Sequence, residues 1–114
     1  MNSLIIRKPW IDKILAWEKT WELRGSNTKI RGRIWLIAAK SGLVYGTCDL
    51  VDSIWPLSVQ RLRANVDKHT VPADEFNEAD EKKYFAWVLA NVKVFDKPEP
   101  YTHPKWAIIW VNVN

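Results

Sequence analysis

Apolar positions along the chain form short runs whose period changes several times. Ser3 to Arg7 reads as an apolar strand. Pro9 follows where a helix can begin, because its fixed φ suits a first helical position. Trp10, Ile11, Ile14 and Leu15 then recur at helical spacing, which predicts a short amphipathic helix ending near Trp17. From Lys19 the period becomes two. Trp21 and Leu23 share one face, Thr20, Glu22 and Arg24 the other, and Gly25-Ser26-Asn27 ends the strand. Arg31 to Ala38 and Val44 to Val51 are rich in β-formers and flank a loop with Lys40-Ser41-Gly42, as a hairpin or neighbouring strands would.

Further along, residues 57–63 carry a weak helical pattern. Residues 65–83 are polar and acidic and contain Pro72, which predicts a long ordered loop with one helical turn. Tyr84 to Leu89 and Val92 to Phe95 read as strands, Pro98 and Pro100 as breaks, and Ala107 to Val113 as a last strand. About six strands with two or three short helices, and no helix–strand alternation, predict a mostly β, α+β fold. A small closed or half-closed β-barrel fits this pattern better than a doubly wound sheet.

Composition narrows the class. A chain of 114 residues is expected to form one domain over residues 1–114, and 47% hydrophobic with 26% charged residues is ordinary globular usage. The single Cys48 excludes an intramolecular disulfide and a zinc site of clustered thiolates, and fits a reducing, cytoplasmic setting. The apolar run Ile34 to Ala39 is far shorter than the roughly 20 residues that cross a bilayer. Leu4-Ile5-Ile6 passes straight into Arg7-Lys8-Pro9-Trp10, unlike a signal peptide, so neither membrane association nor secretion is expected. Eight tryptophans exceed what a small core needs. Trp21, Trp35, Trp87 and Trp110 sit at strand positions suited to the core, which leaves others for a pocket or surface. Basic residues outnumber acidic ones 11 to 5 in residues 1–63 and fall behind 6 to 8 in residues 64–114. The first half is thus suited to an anionic or electron-rich partner, although solvated surfaces of this charge are also common.

Four ordered blocks carry a resemblance: Pro9-Trp10; Lys19-Thr20-Trp21-Glu22-Leu23-Arg24; Gly32 to Lys40; and Gly46 to Asp52. With Tyr84 to Leu89 and Ile108 to Val111 as closing strands, the chain resembles the ASCH (activating signal cointegrator homology) domain family. The resemblance implies a PUA-like β-barrel with a cleft beside the first helix, lined by a Lys-Thr-x-x-x-Arg segment. It also implies one of three activities: hydrolysis of N4-acetylcytidine by an amidohydrolase-like subgroup, RNA binding, or ribonuclease action. The subgroup uses a lysine, a threonine three positions later and a glutamate from a later loop. Lys19 matches the lysine, Glu22 stands in place of that threonine, and Glu75, with Glu78 behind it, is the candidate for the loop glutamate. Lys-Thr-x-Glu-x-Arg is itself a variant found in the family. Trp17 occupies a position where the family usually has glycine, so either the turn differs or Trp17 closes the cleft.

On their own chemistry these residues supply the roles that amide hydrolysis requires. Glu22, with Glu75, activates water and protonates the departing nitrogen, while Lys19 and Arg24 or nearby backbone N–H groups hold the oxyanion, and Thr20 is a reserve nucleophile. Lys19 is also suited to act as a base if burial or nearby cations lower its pKa. The same residues equally describe a surface lysine and a Glu–Arg pair worth under about 1 kcal/mol. Strict alternation, moreover, points Lys19 away from Glu22. Pro9 and Trp10 are candidates for the substrate-binding wall, where the indole stacks on a pyrimidine, and Trp10 also fits a hydrophobic staple. Lys40 and Ser41 are candidates for a carbonyl or phosphate contact. Arg7, Lys8, Arg31 and Arg33 are candidates for tracking a nucleic-acid backbone in the binding alternative. His69 and His103 lack a second ligand at metal spacing, so no metal or cofactor is expected. The expected partner is an N4-acylated cytosine nucleoside or base, with RNA as the alternative and no obligate protein partner.

Overall fold

The computed structural model describes residues 1–79 and 83–113. Six strands form one mixed sheet in the order β2-β5-β4-β3-β1-β6. They are β1 (Asn2–Ile6), β2 (Trp21–Arg24), β3 (Gly32–Ala38), β4 (Leu43–Leu57), β5 (Tyr84–Pro100) and β6 (Trp110–Asn112). β1 runs parallel to β3, with Leu4 opposite Leu36, and every other pairing is antiparallel. That parallel pair needs a crossover, which is supplied by α1 (Trp10–Leu15) and β2. Ile11 and Ile14 of α1 are buried against the sheet beside Leu4, Ile6, Ile34 and Leu36.

Register shifts interrupt the β4–β5 ladder at four places from Val44 to Leu57, and bulges of this kind bend and twist a sheet. The curl brings its two ends together. Arg24 of β2 donates from Nη2 to the Ile5 carbonyl of β1 at 2.9 Å. Trp87 of β5 stacks on Trp110 of β6 with centroids 5.7 Å apart. No ladder joins β2 to β1 among the described residues, so the molecule is a half-closed barrel with a cleft along that seam.

Several boundaries differ from expectation. Pro98 does not break the chain, whereas the strand does end at Pro100. Both lie in β5, beyond the last residue paired with β2, where the outer edge is free and a missing N–H costs no ladder bond. β4 likewise continues past Val51 to Leu57, while the last strand shortens to three residues. A helix does form where the weak helical pattern lay, and the loop expected over 65–83 holds two short helical turns among its described residues instead of one. α2 (Val59–Ala64) is capped by Ser58 Oγ, which accepts from the Arg61 N–H. α3 (Val66–His69) and a 3₁₀ turn (Ala73–Glu75) follow. Leu62 and Phe76 from this segment close a second apolar cluster over Trp21, Leu57 and Ala86. Residues 80–82 of the predicted loop lie outside the described residues. Trp21 and Trp87 are buried as expected, whereas Trp35 and Trp110 are half-buried.

Candidate active site

The end of α1 sets the position of Lys19. Trp17 takes a left-handed φ of 65°, and the N–H groups of Glu18 and Lys19 both donate to the Lys13 carbonyl. The turn therefore keeps the conformation that a glycine would adopt there, and Trp17 points outward, 63% exposed. It neither alters the turn nor closes the cleft. The Thr20 backbone is clamped between α3 and β5: its N–H donates to the Lys68 carbonyl and its carbonyl accepts from Leu89. Regular alternation begins only at Trp21, so Lys19 is free to turn under the sheet, where it is 2% exposed.

There Lys19 Nζ lies 3.8 Å from Glu22 Oε1, donates to the His69 carbonyl, and sits 5.0 Å from the centre of the Trp10 ring. The other oxygen of Glu22, Oε2, accepts from Arg24 Nε at 3.2 Å and Nη2 at 3.0 Å. Burial drives the Lys19 pKa down from 10.5 to about 8. Glu22 opposes that shift by favouring the ammonium, and Lys13 and Arg24 reinforce it. At pH 7 roughly a tenth of such a lysine carries a free amine.

His69 is fully buried and structural. Its Nδ1 accepts from the Val71 N–H at 3.0 Å, which leaves Nε2–H to donate to the Leu62 carbonyl. Burial lowers its pKa, so the ring is held neutral. The consequence for the site is indirect: the ring anchors the segment whose carbonyl receives Lys19.

A cavity of about 650 Å³ opens over these groups. Trp10, Lys19, Glu22 and Arg24 line it, together with Arg7 and Glu75. Six sequence candidates thus converge. Val71, Phe76 and Tyr84 form an apolar and aromatic wall, and Ile108 and Ile109 a second one. The sequence reading missed these residues. Phe76, a lone aromatic in an acidic stretch, is the one sequence signal for the first wall, and the pattern over Ile108 and Ile109 predicts a strand instead.

Other candidates lie elsewhere. Thr20 has an exposed side chain and does not line the cavity, and neither do Pro9 and Lys8. Glu78 is exposed and accepts from Gln60 at 3.3 Å. The Ser41 hydroxyl is used within its own turn, donating to the Ala38 carbonyl at 2.7 Å and accepting from Leu43 N. Lys40 lines a separate, adjoining cavity. Arg33 is engaged by Asp49, Thr47 and the Asn91 carbonyl, and Arg31 lies 3.8 Å from Asp52 and donates to two local carbonyls. These two arginines fasten β3 and its approach instead of facing the cleft. Cys48 is buried, which pushes its thiol up to about 12, so it is no nucleophile. Among the described residues no three His, Cys, Asp or Glu side chains gather as a metal site.

The ASCH domain family model matches residues 4–99, most of the chain. The protein belongs to the ASCH family. Solved structures of the ASCH protein of Zymomonas mobilis share its fold. One point variant superposes with a TM-score of 0.72 at 17% identity, covering 97% of this chain and 87% of that one. A second variant gives 0.69 at 18% identity, covering 87% and 74%. The unaltered protein gives 0.65 at 18% identity, covering 82% and 68%. At such identity the likeness is one of fold. No curated protein matches the sequence. The half-closed barrel of this ASCH domain, with its cleft between α1 and the β1–β2 seam, places Lys19, Glu22 and Arg24 along the cavity floor. No helix among the described residues is long and apolar enough to cross a membrane.

Proposed function

We propose that this ASCH domain hydrolyses the exocyclic amide of N4-acylated cytosine nucleosides, with N4-acetylcytidine as the simplest member. The observation that carries the reading is the array of buried Lys19 and Glu22 with half-buried Arg24 at the floor of a cavity walled by Trp10 and Phe76. A neutral Lys19 has two N–H groups and one lone pair. With the N–H groups directed at the His69 carbonyl and at Glu22, the lone pair is left for the cavity, and a pKa of about 8 suits a base working near neutrality. Glu22, held by two bonds from Arg24, fixes the amine and balances the charge it acquires.

In this reading a water attacks the acyl carbon while Lys19 Nζ takes its proton. The tetrahedral oxyanion forms beside Arg24. The carbon–nitrogen bond then breaks as Lys19 returns the proton to the exocyclic nitrogen. The products are the free amino base and a carboxylic acid, which loses its own proton to solvent. Thr20 lies outside the cavity, so water is the nucleophile. Trp10 offers a face for the pyrimidine, a stacking worth about 1–3 kcal/mol, and the exposed Glu75 at the rim is placed to bond a polar group of the ligand.

The test follows the ultraviolet spectrum of N4-acetylcytidine mixed with the protein. Turnover that falls at least about 100-fold in Lys19→Met and in Glu22→Gln supports the assignment. Turnover that survives both substitutions would show that other residues act. Absence of turnover together with salt-sensitive binding or cleavage of RNA would replace this reading with a nucleic-acid one.

A further inference from the structure

Next to the catalytic cavity lies a second one, of about 500 Å³. The two share Ile5, Arg7, Ala39 and Ile108 in their linings, so they adjoin along these four residues. Their linings differ in charge. In the first, Arg7, Lys19 and Arg24 stand with Glu22 and Glu75, whereas the second has Arg7 and Lys40 and no carboxylate among its described lining residues.

Three features give the second cavity a defined polar character. Lys40 stands at the turn between β3 and β4 with a left-handed φ of 65°, a conformation costly for a residue with a side chain, and it is exposed with no acidic partner within ion-pairing distance among the described residues. Arg7, in the shared lining, likewise has no described acidic partner. Elsewhere in the lining Tyr101 Oη lies 2.9 Å from His103 Nδ1, and His103 Nε2 lies 2.9 Å from the Ala107 carbonyl. A carbonyl only accepts, so Nε2 carries the hydrogen, and Nδ1 accepts from the tyrosine hydroxyl. Desolvation raises the Tyr101 pKa and keeps that hydroxyl protonated. This chain of bonds ties the loop that carries Ala107 and Ile108 to the end of β5, which fixes that part of the cavity lining.

We infer that the second cavity is a phosphate subsite, so that the substrate class is a nucleotide: base and acyl amide in the first cavity, sugar along the shared lining, and phosphate between Arg7 and Lys40. The inference rests on the proposed function for the identity of the base, and on the second cavity alone for the anion. An acyl chain ending in a carboxylate offers the same anionic chemistry from the opposite end of the ligand, and the test separates the two.

Binding is read from tryptophan fluorescence on the wild-type protein with cytidine, cytidine 5′-monophosphate and inorganic phosphate. The 5′-monophosphate is expected to bind about ten-fold or more tighter than cytidine, with the advantage shrinking as salt rises. Lys40→Asn removes the charge but suits the left-handed turn. It should erase most of that advantage and leave cytidine binding unchanged, and Lys40→Arg should preserve it. Hydrolysis of N4-acetylcytidine, its 5′-monophosphate and N4-succinylcytidine is compared in parallel. Equal binding of cytidine and its monophosphate, binding of neither, or a preference confined to the succinyl compound overturns the inference. If the monophosphate is preferred and the preference depends on Lys40, but no amide is cleaved, the subsite stands and the hydrolase assignment falls.

Discussion

Lys19 Nζ and Glu22 Oε1 lie 3.8 Å apart, although residues three apart on an unbroken strand would face opposite sides of the sheet. The contact exists because the strand starts at Trp21 and the residues before it follow the left-handed turn at Trp17. A buried amine is thereby set against a carboxylate whose far oxygen is already bound by Arg24, and the stability and the pH response of the domain both depend on that arrangement.

The buried lysine should make stability depend on pH. Its folded pKa, about 8, lies below the ordinary 10.5 of the unfolded chain, so between these values the unfolded state binds more protons and stability rises with pH. Below about pH 8 the full penalty for the buried ammonium is present. Lys19→Met removes this dependence. Urea unfolding of both proteins from pH 7 to 10 should show the variant losing ground relative to wild type as pH rises, by up to about 3 kcal/mol across the range. A difference that does not change with pH would mean that Lys19 is not desolvated.

Glu22 favours the charged form of Lys19, so its removal should lower the lysine pKa below about 8. In Glu22→Gln the residual turnover of N4-acetylcytidine should reach its plateau at lower pH than in wild type, even as the maximal rate drops. The pH profile of kcat measures this. An unshifted ascending limb would remove Lys19 from the role of base.

Trp17 carries a left-handed backbone while mostly exposed to solvent. Trp17→Gly relieves a strain of about 1–2 kcal/mol against an unfolded-state entropy cost of about 0.5–1 kcal/mol. A gain of up to about 1 kcal/mol in denaturant unfolding is expected, with ligand binding unaltered because the indole lies outside the cavity.

Gly46 of β4 admits no side chain. An added Cβ would fall on the Lys93 carbonyl oxygen and approach Val94 Cα to 3.2 Å and Leu15 Cδ2 to 3.3 Å. Two of these neighbours are backbone in the adjacent strand and cannot swing aside. Gly46→Ala should destabilise the fold by about 2 kcal/mol or more, seen as a lower denaturation midpoint.

Local rules made part of this architecture legible in the sequence. The period-two pattern over Trp21 to Arg24 placed Glu22 and Arg24 on one face, and they do pair, because side-chain alternation depends only on neighbouring residues. The six strands, the short first helix and the buried Trp21 and Trp87 follow from patterning of the same kind. The helix over residues 59–64 shows in the sequence only as a weak pattern, and the turns after it more faintly still, because each buries few apolar residues and is held by docking onto Trp21 and Leu57.

Tertiary structure decided what the cleft contains. The lowered pKa of Lys19 comes from burial beneath a carbonyl 50 residues away, a property that no window of sequence carries. Which basic residues remain on cavity walls was decided by partners across the sheet: Asp49 and Asn91 engage Arg33, while Arg7 and Lys40 line cavities. The continuity of β5 through Pro98 likewise depended on its lying at an edge at that end, which is a matter of strand order and not of proline itself. Periodicity and turn chemistry act over a few residues, whereas desolvation, charge pairing and edge position arise from groups brought together over the whole chain.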